Sequence, residues 1–276
     1  MPELPEVETV VRTLAPRVCG SVIASVSTTP SRVFRGHQKQ IELALPGKRI
    51  LEVRRHGKNI LIELNPGLLR IHLGMTGKLL FDPTNATHAR AALHLRNSPA
   101  RMLVFDAPRH FGRFELIEDA SALALGPEPL EISPSEFTQA LHARRGPVKS
   151  LLLNQAFLRG MGNIYTDEAL FQARIHPLTP ACDVPARKSL ALHEAMRRVL
   201  LEAIAQGGSS ISDYVDAEGR RGAFQSRHQV YGREGKPCSR CGAAIRRIVV
   251  GQRGTHYCER CQPAPRGVRS PEAVAK

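Results

Sequence analysis

The chain has no Trp, and aromatic residues fill only 5% of its 276 positions. A protein that grips single strands by stacking bases on aromatic rings needs more than this. Duplex DNA or structured RNA is the better-suited partner. Long apolar runs are also missing: no stretch of eighteen apolar residues occurs, so no transmembrane helix is expected. The first twenty residues carry Glu3, Glu6 and Glu8 and have no apolar centre, which argues against a secretory signal and for a cytoplasmic location. Acidic residues are few, 25 against 39 basic, giving a net charge of +14 and an isoelectric point near 10.1. A globular chain this basic suits a polyanionic partner, with a merely solubilising surface as the alternative.

Cysteines number six. Cys238 and Cys241 form one CxxC pair, Cys258 and Cys261 a second. Two such pairs spaced to flank a hairpin read as a four-thiolate zinc site, closed by its ligands and therefore structural. Two disulfides are the alternative, disfavoured in a reducing compartment. Cys19 and Cys182 lack a partner at metal spacing and read as inert packing residues.

The chain opens Met1-Pro2-Glu3-Leu4-Pro5-Glu6. Removal of Met1 would give Pro2 a free secondary amine. An α-amino group titrates near 7.7–8.0 and a Lys side chain near 10.4, so roughly 15% of the former and roughly 0.04% of the latter are neutral at pH 7. Such an amine attacking a sugar C1′ gives a cationic iminium, and Glu3 and Glu6 offer carboxyl groups beside it for proton transfer. The same residues also make an ordinary helix start, with Pro in the first turn and Glu at the positive end of the dipole. Val7, Val10, Val11 and Leu14 continue at helical spacing, predicting a helix over Pro5–Ala15.

From 20 to 120 the pattern is β. Strands are predicted at Ser21–Val26, Gln40–Leu45, Arg49–Arg55, Asn59–Leu64, Leu68–Leu73, Ala91–Leu95, Arg101–Phe105 and Phe114–Ile117, a sandwich or flattened barrel. Helical periodicity then takes over at Ser135–Ala143, Pro147–Asn154, Asn163–Gln172, Ala186–Gln206 and Ile211–Val215. The resulting division is a catalytic β-sandwich domain over 1–125, a linker over 126–134, a helical domain over 135–235, a zinc finger over 236–262 and a disordered tail over 263–276. Ala217–His228 reads as a mobile loop.

Several loops carry candidate chemistry. Arg159-Gly160-Met161-Gly162-Asn163 lets backbone approach a phosphate at a helix N-terminus, with Asn163 as cap and donor, or is a plain turn between helices. Met75, on a Gly-flanked turn, could wedge into a base stack, although most Met residues fill cores. Arg109 and Phe111 share a loop in which Arg can bond an orphaned base and Phe can fill a gap. Lys58 lies in a basic cluster, as a proton donor, a phosphate ligand or part of a solvated face. Arg253 sits near the tip of the zinc hairpin.

Taken together, MPELPEVET, RRHGKNI, IHLGMTG, APRHFG, LGPEPL, GMGNIYTDEALF, QGGSS, QVYGREGKPC and QRGTHYCERC resemble bacterial formamidopyrimidine-DNA glycosylases, from Met1 to Cys261. The resemblance implies an N-terminal β-sandwich with a flanking helix, a helix-two-turn-helix domain and a C-terminal four-cysteine zinc finger. It implies a glycosylase with abasic-site lyase activity that excises oxidised purines from duplex DNA. By this likeness Pro2 is the Schiff-base nucleophile and Glu3 the proton donor for ring opening or the leaving base. Lys58 assists β-elimination and Arg253 δ-elimination. Met75, Arg109 and Phe111 match the wedge that replaces an extruded base. His88, Arg109, Arg144, Lys149 and Asn163 match positions near DNA, and Arg159 offers one more phosphate contact. One structural Zn2+, no organic cofactor, a monomer and no membrane complete the expectation. An endonuclease VIII-type enzyme for oxidised pyrimidines is the near alternative. A non-catalytic zinc-ribbon DNA-binding protein is the distant one.

Overall fold

The computed structural model describes residues 1–211 and 213–265; most of the predicted tail lies outside the described residues. Two compact units result: residues 1–124 with 203–225, and residues 125–202 with 226 onward. The sequence pattern assigns 203–225 to the helical domain. These residues pack instead with the first unit, because their buried side chains Tyr214 and Ala217 join its core.

In the first unit, α1 (Leu4–Val18) buries Leu4, Val7, Val10, Val11, Leu14 and Val18, one face at helical spacing. The strands are β1 (Val22–Thr28), β2 (Arg49–His56), β3 (Asn59–Asn65), β4 (Gly67–His72), β5 (Lys78–Phe81), β6 (Ala89–Arg96), β7 (Met102–Asp106) and β8 (Arg113–Ile117). They form one antiparallel sheet in the order β5-β7-β6-β1-β2-β3-β4-β8. β1 meets β2 only at Val22 and Arg49, so the sheet folds there into two halves. Apolar faces of the halves enclose the core: Ile23, Leu93 and Phe105 on one side, Ile50, Ile60, Ile71 and Phe114 on the other. Phe105 and Phe114 stack at 5.9 Å.

Two expectations fail here. Residues 40–44 are not a strand but part of α2 (Gln38–Ala44), and Leu45 is its C-cap. Their Ile-x-Leu-x-Leu alternation misleads, since Ile41 and Leu45 are buried one helical turn apart while Leu43 is 84% exposed. The four-residue β5, an edge strand, has too few residues to carry a periodic signal. The helix expected at 211–215 is also absent among the described residues there. Ser210 Oγ donates instead to Tyr214 O.

The second unit holds α3 (Pro134–His142), α4 (Val148–Leu153), α5 (Asn163–Gln172) and most of α6 (Ala186–Ala205). A Ser133/Glu136 capping box starts α3. Phe137, Leu152, Leu158, Tyr165, Leu192 and Met196 are among its buried residues. The segment 125–131 docks on this unit, Gly126 N–H donating to Gln155 O and Glu128 pairing with Arg159 at 3.2 Å. Arg159 is thus engaged internally. Strands β9 (Arg246–Val250) and β10 (Arg253–Tyr257) form a hairpin whose two turn residues, Gly251 and Gln252, both have positive φ, as a primed turn requires. No helix among the described residues is long and apolar enough to cross a membrane. Cys19 and Cys182 are exposed, so neither is a packing residue.

Candidate functional site

The N-terminal turn presents Pro2 and Glu3 as buried residues while Met1 stays exposed. Glu3 is the N-cap of α1, 4% exposed, and its N–H donates to Glu6 Oε2 at 2.8 Å. The carboxylate of Glu6 is itself buried and also accepts the Ser209 N–H at 2.7 Å. The helix-start reading of the opening sequence holds: the acids cap α1, and Pro2 is buried immediately before the cap.

Lys58 sits in the tight β2–β3 turn after Gly57, which has positive φ, and is 8% exposed. Across the ladder, Asn59 pairs with His72. His72 was not singled out in the sequence, although it stands inside the quoted IHLGMTG run. Its Nδ1 accepts the Gly74 N–H at 3.0 Å, leaving the proton on Nε2. Burial first, then the positive charges of Arg70, Lys58 and Arg113, push its pKa down to about 4. At neutral pH His72 is an uncharged N–H donor in a cationic surround, suited to an anion. The signal that could have found it is a His at the end of a strand, one ladder position from a turn lysine.

Met75, Arg109 and Phe111 come together. Gly74 has φ +67°, and a Cβ on it would lie 2.7 Å from the Phe111 backbone. A Cβ on Gly112 would lie 2.6 Å from the Phe105 ring. Both loops can approach only because these positions are glycine. At their tips Met75 and Phe111 are 43% and 55% exposed, and the Arg109 guanidinium lies 5.0 Å from the Phe111 ring centre. Exposed apolar side chains on rigid turns are costly in water unless something covers them. His88 N–H donates to Asp106 Oδ1 at 2.9 Å, and His88 and Arg109 both line a groove of about 450 Å³ with Thr76 and Lys78.

In the second unit Gln155 shapes the glycine loop. Its Oε1 accepts the Gly160 N–H and its Nε2 donates to Met161 O, both at 2.9 Å. The cap of α5 is Gly162, not Asn163. Asn163 begins the helix and its amide donates to Gly254 O at 2.8 Å, next to the exposed Arg253. Lys149 does not reach the surface. It is 0% exposed, 2.5 Å from Asp167 Oδ1 and 3.3 Å from Gly254 O. Asp167 Oδ2 in turn accepts the His256 N–H at 2.8 Å. Lys149 therefore fastens β10 to α5 in this structure. Arg144 is exposed at the α3–α4 connection. Pro2, Glu3, Lys58, Met75, His88, Arg109 and Phe111 belong to the first unit, and Arg144, Lys149, Asn163 and Arg253 to the second.

Cys238, Cys241, Cys258 and Cys261 bring their four Sγ atoms within 4.8 Å of one another. Cys238 and Cys261 Sγ are 3.9 Å apart, Cys241 and Cys258 3.5 Å. A tetrahedron with Zn–S bonds of about 2.3 Å has edges of about 3.8 Å. The cluster fits zinc, and the separations are far too long for disulfides.

Comparisons with known proteins agree with this layout. Residues 1–114 match the family model of the formamidopyrimidine-DNA glycosylase N-terminal domain. Residues 125–215 match that of the same family's H2TH domain, and 235–264 a zinc finger found in FPG and IleRS. A formamidopyrimidine-DNA glycosylase of Solibacter usitatus is 49% identical over 266 residues, covering 95% of this chain and 99% of the relative. The crystal structure of the MutM (FPG) protein of Thermus thermophilus superposes with a TM-score of 0.85 at 44% identity, covering 95% and 98% of the two chains. Wild-type Lactococcus lactis Fpg, in complex with DNA containing N7-benzyl-Fapy-dG, gives 0.87 at 36% identity, covering 95% of this chain and all of that one. On this evidence the chain belongs to the formamidopyrimidine-DNA glycosylase family.

Proposed function

We propose that this chain excises oxidised purines from duplex DNA and then cleaves the strand, with Pro2 as nucleophile once Met1 is removed. The observation that carries the reading is the N-terminal turn: a buried Pro2 held beside buried Glu3 and Glu6 in a strongly basic, DNA-glycosylase chain. The Pro2 nitrogen lone pair attacks C1′ of the damaged nucleotide. The glycosidic bond breaks, its electrons leave with the base, and Glu3 supplies the proton to the base or to the opening sugar ring. The resulting iminium acidifies C2′. The C2′ proton passes to water, the C3′–O bond breaks, and its electrons leave with the 3′ phosphate, which Lys58 protonates. A second elimination expels the 5′ phosphate, with Arg253 in that role.

The wedge of Met75, Arg109 and Phe111 fills the gap left by the extruded base. Extrusion costs a few kcal/mol, and covering two exposed apolar side chains offsets part of it. His72, Lys58, Asn163 and Arg253 bind phosphates, and His88 and Arg144 contact DNA further out. Lys149 acts at one remove, by holding the hairpin that carries Arg253. The zinc, held by Cys238, Cys241, Cys258 and Cys261, keeps that hairpin rigid and takes no part in the chemistry. The Pro2 assignment has a direct consequence: a retained Met1 or an N-terminal tag blocks glycosylase activity and spares DNA binding.

Borohydride reduces an iminium to a stable amine, so it should trap a covalent complex with DNA bearing 8-oxoguanine opposite cytosine. Mass spectrometry should place the link on Pro2. A link to a lysine alone would overturn the Pro2 assignment, and no trapped species from zinc-loaded, Met1-free protein would overturn the enzyme reading. Faster trapping on thymine glycol DNA would favour the pyrimidine-directed alternative.

A further inference from the structure

Residues 206–224 form a closed strap that the proposed chemistry leaves unused. Its ends are tied by Ala223 N–H to Gln206 O at 2.9 Å and Phe224 N–H to Gly208 O at 3.0 Å. Gly222 lies so close that a Cβ on it would sit 2.3 Å from Gly208 O. Between these ties, Ser210 Oγ accepts the Gly222 N–H and donates to Tyr214 O. The described residues 206–211 and 213–224 are thus tied together by hydrogen bonds at both ends.

They are fastened to the start of α1. The Ser209 N–H donates to Glu6 Oε1 at 2.7 Å, and the Tyr214 hydroxyl donates to Glu6 O at 3.1 Å. Further along, Ala217 N–H donates to Thr13 Oγ1, Arg17 pairs with Glu218, and Phe81 N–H on β5 donates to Ala217 O. The other Glu6 oxygen accepts the Glu3 N–H. One planar carboxylate therefore bridges two buried backbone N–H groups, one on the strap and one on the residue after Pro2. Glu3, Glu6 and Ser209 are each no more than 5% exposed. A buried carboxylate is held in place by the donors it accepts from, because water cannot replace them. Displacing Ser209 must rotate Glu6, and rotating Glu6 must shift Glu3 and Pro2.

We propose that this strap positions the nucleophile: Gly208, Ser209 and Tyr214 are positioning residues that set the alignment of Pro2 and Glu3 through Glu6. The inference rests on the reading of Pro2 as nucleophile. Gly208 is its most sensitive point. It has φ +79°, and a Cβ there would lie 2.7 Å from Glu6 Oε1, so a methyl group must push the carboxylate aside. Tyr214→Phe removes only the hydroxyl, with its bonds to Glu6 O and to the Thr9 side chain.

The test uses full-length, zinc-loaded protein with Met1 removed, and single-turnover borohydride trapping on DNA with a preformed abasic site. Gly208→Ala should slow trapping at least ten-fold and Tyr214→Phe about three-fold. Affinity for a duplex with a tetrahydrofuran site should stay within two-fold of the parent. The pH midpoint of the trapping rate should move by at least half a unit in Gly208→Ala, since the amine then sees a displaced carboxylate. Tyr214→Phe, the milder change, carries the test on rate and affinity if Gly208→Ala does not fold. Trapping at the parent rate, a loss matched by lost affinity, or in a folded Gly208→Ala a slower rate at an unmoved midpoint each overturn the proposal. The parent protein reports separately on the underlying reading: if it traps through a residue other than Pro2, that reading fails first.

Discussion

A lysine with no exposed surface is held by what it pairs with. Lys149 and Asp167 are both buried, and Asp167 also accepts the His256 N–H from β10. Removing one partner from such a pair leaves a charge without compensation, at a cost of about 3–5 kcal/mol. Lys149→Met should destabilise the second unit by about that amount in denaturant titration. The double change Lys149→Met with Asp167→Leu should recover part of the loss, because it removes the stranded carboxylate as well. A Lys149→Met variant of parent stability would show that the pair is not buried as described. Nothing in the local sequence Val-Lys-Ser-Leu-Leu-Leu marks Lys149 as internal, since its partner lies 18 residues away and its second contact, Gly254, lies 105 away.

At the scale of elements, legibility followed the length of the periodic signal. The ten residues of α5 match their predicted bounds because Gly162 marks the start, although the helix is buried all round and has no apolar stripe. The short α2 and β5 escape the pattern because seven or four residues do not separate a period of 2 from one of 3.6. The cysteine spacing announced the metal site, whereas the meeting of the Met75 and Phe111 loops depends on Gly74 and Gly112 contacts across the fold. The β9–β10 hairpin buries few apolar side chains of its own, chiefly Ile248, Val250 and Tyr257. Arg240 stacks on Phe171 at 4.4 Å and donates to Phe171 O, fixing one knuckle to α5. So small a core relies on its metal. Stripping zinc with a chelator, or Cys258→Ser, should abolish strand cleavage while leaving the β-sheet circular dichroism of the first unit in place. Restored zinc should restore cleavage to the stripped parent but not to the variant. Full cleavage by metal-free protein would contradict the dependence.

For the whole molecule the net charge of +14 sets the attraction to DNA, but only cations that reach phosphates release counterions. With about six phosphates neutralised, the logarithm of affinity should fall against the logarithm of salt with a slope of about −5. Single variants then sort the basic residues by what they touch. Arg253→Gln and Arg144→Gln, both at exposed positions, should each reduce the slope by about 0.9, the value for one lost phosphate contact. Lys149→Met removes a charge of the same sign from a residue with no exposed surface. It should leave the slope unchanged below its unfolding temperature, even where affinity drops. A slope near zero for the parent would refute charge-driven docking on the phosphate backbone. A slope that falls as much for Lys149→Met as for Arg253→Gln would mean that Lys149 leaves Asp167 to meet a phosphate when DNA binds. The measurement therefore separates cations that bind DNA from the one that shapes the surface doing so.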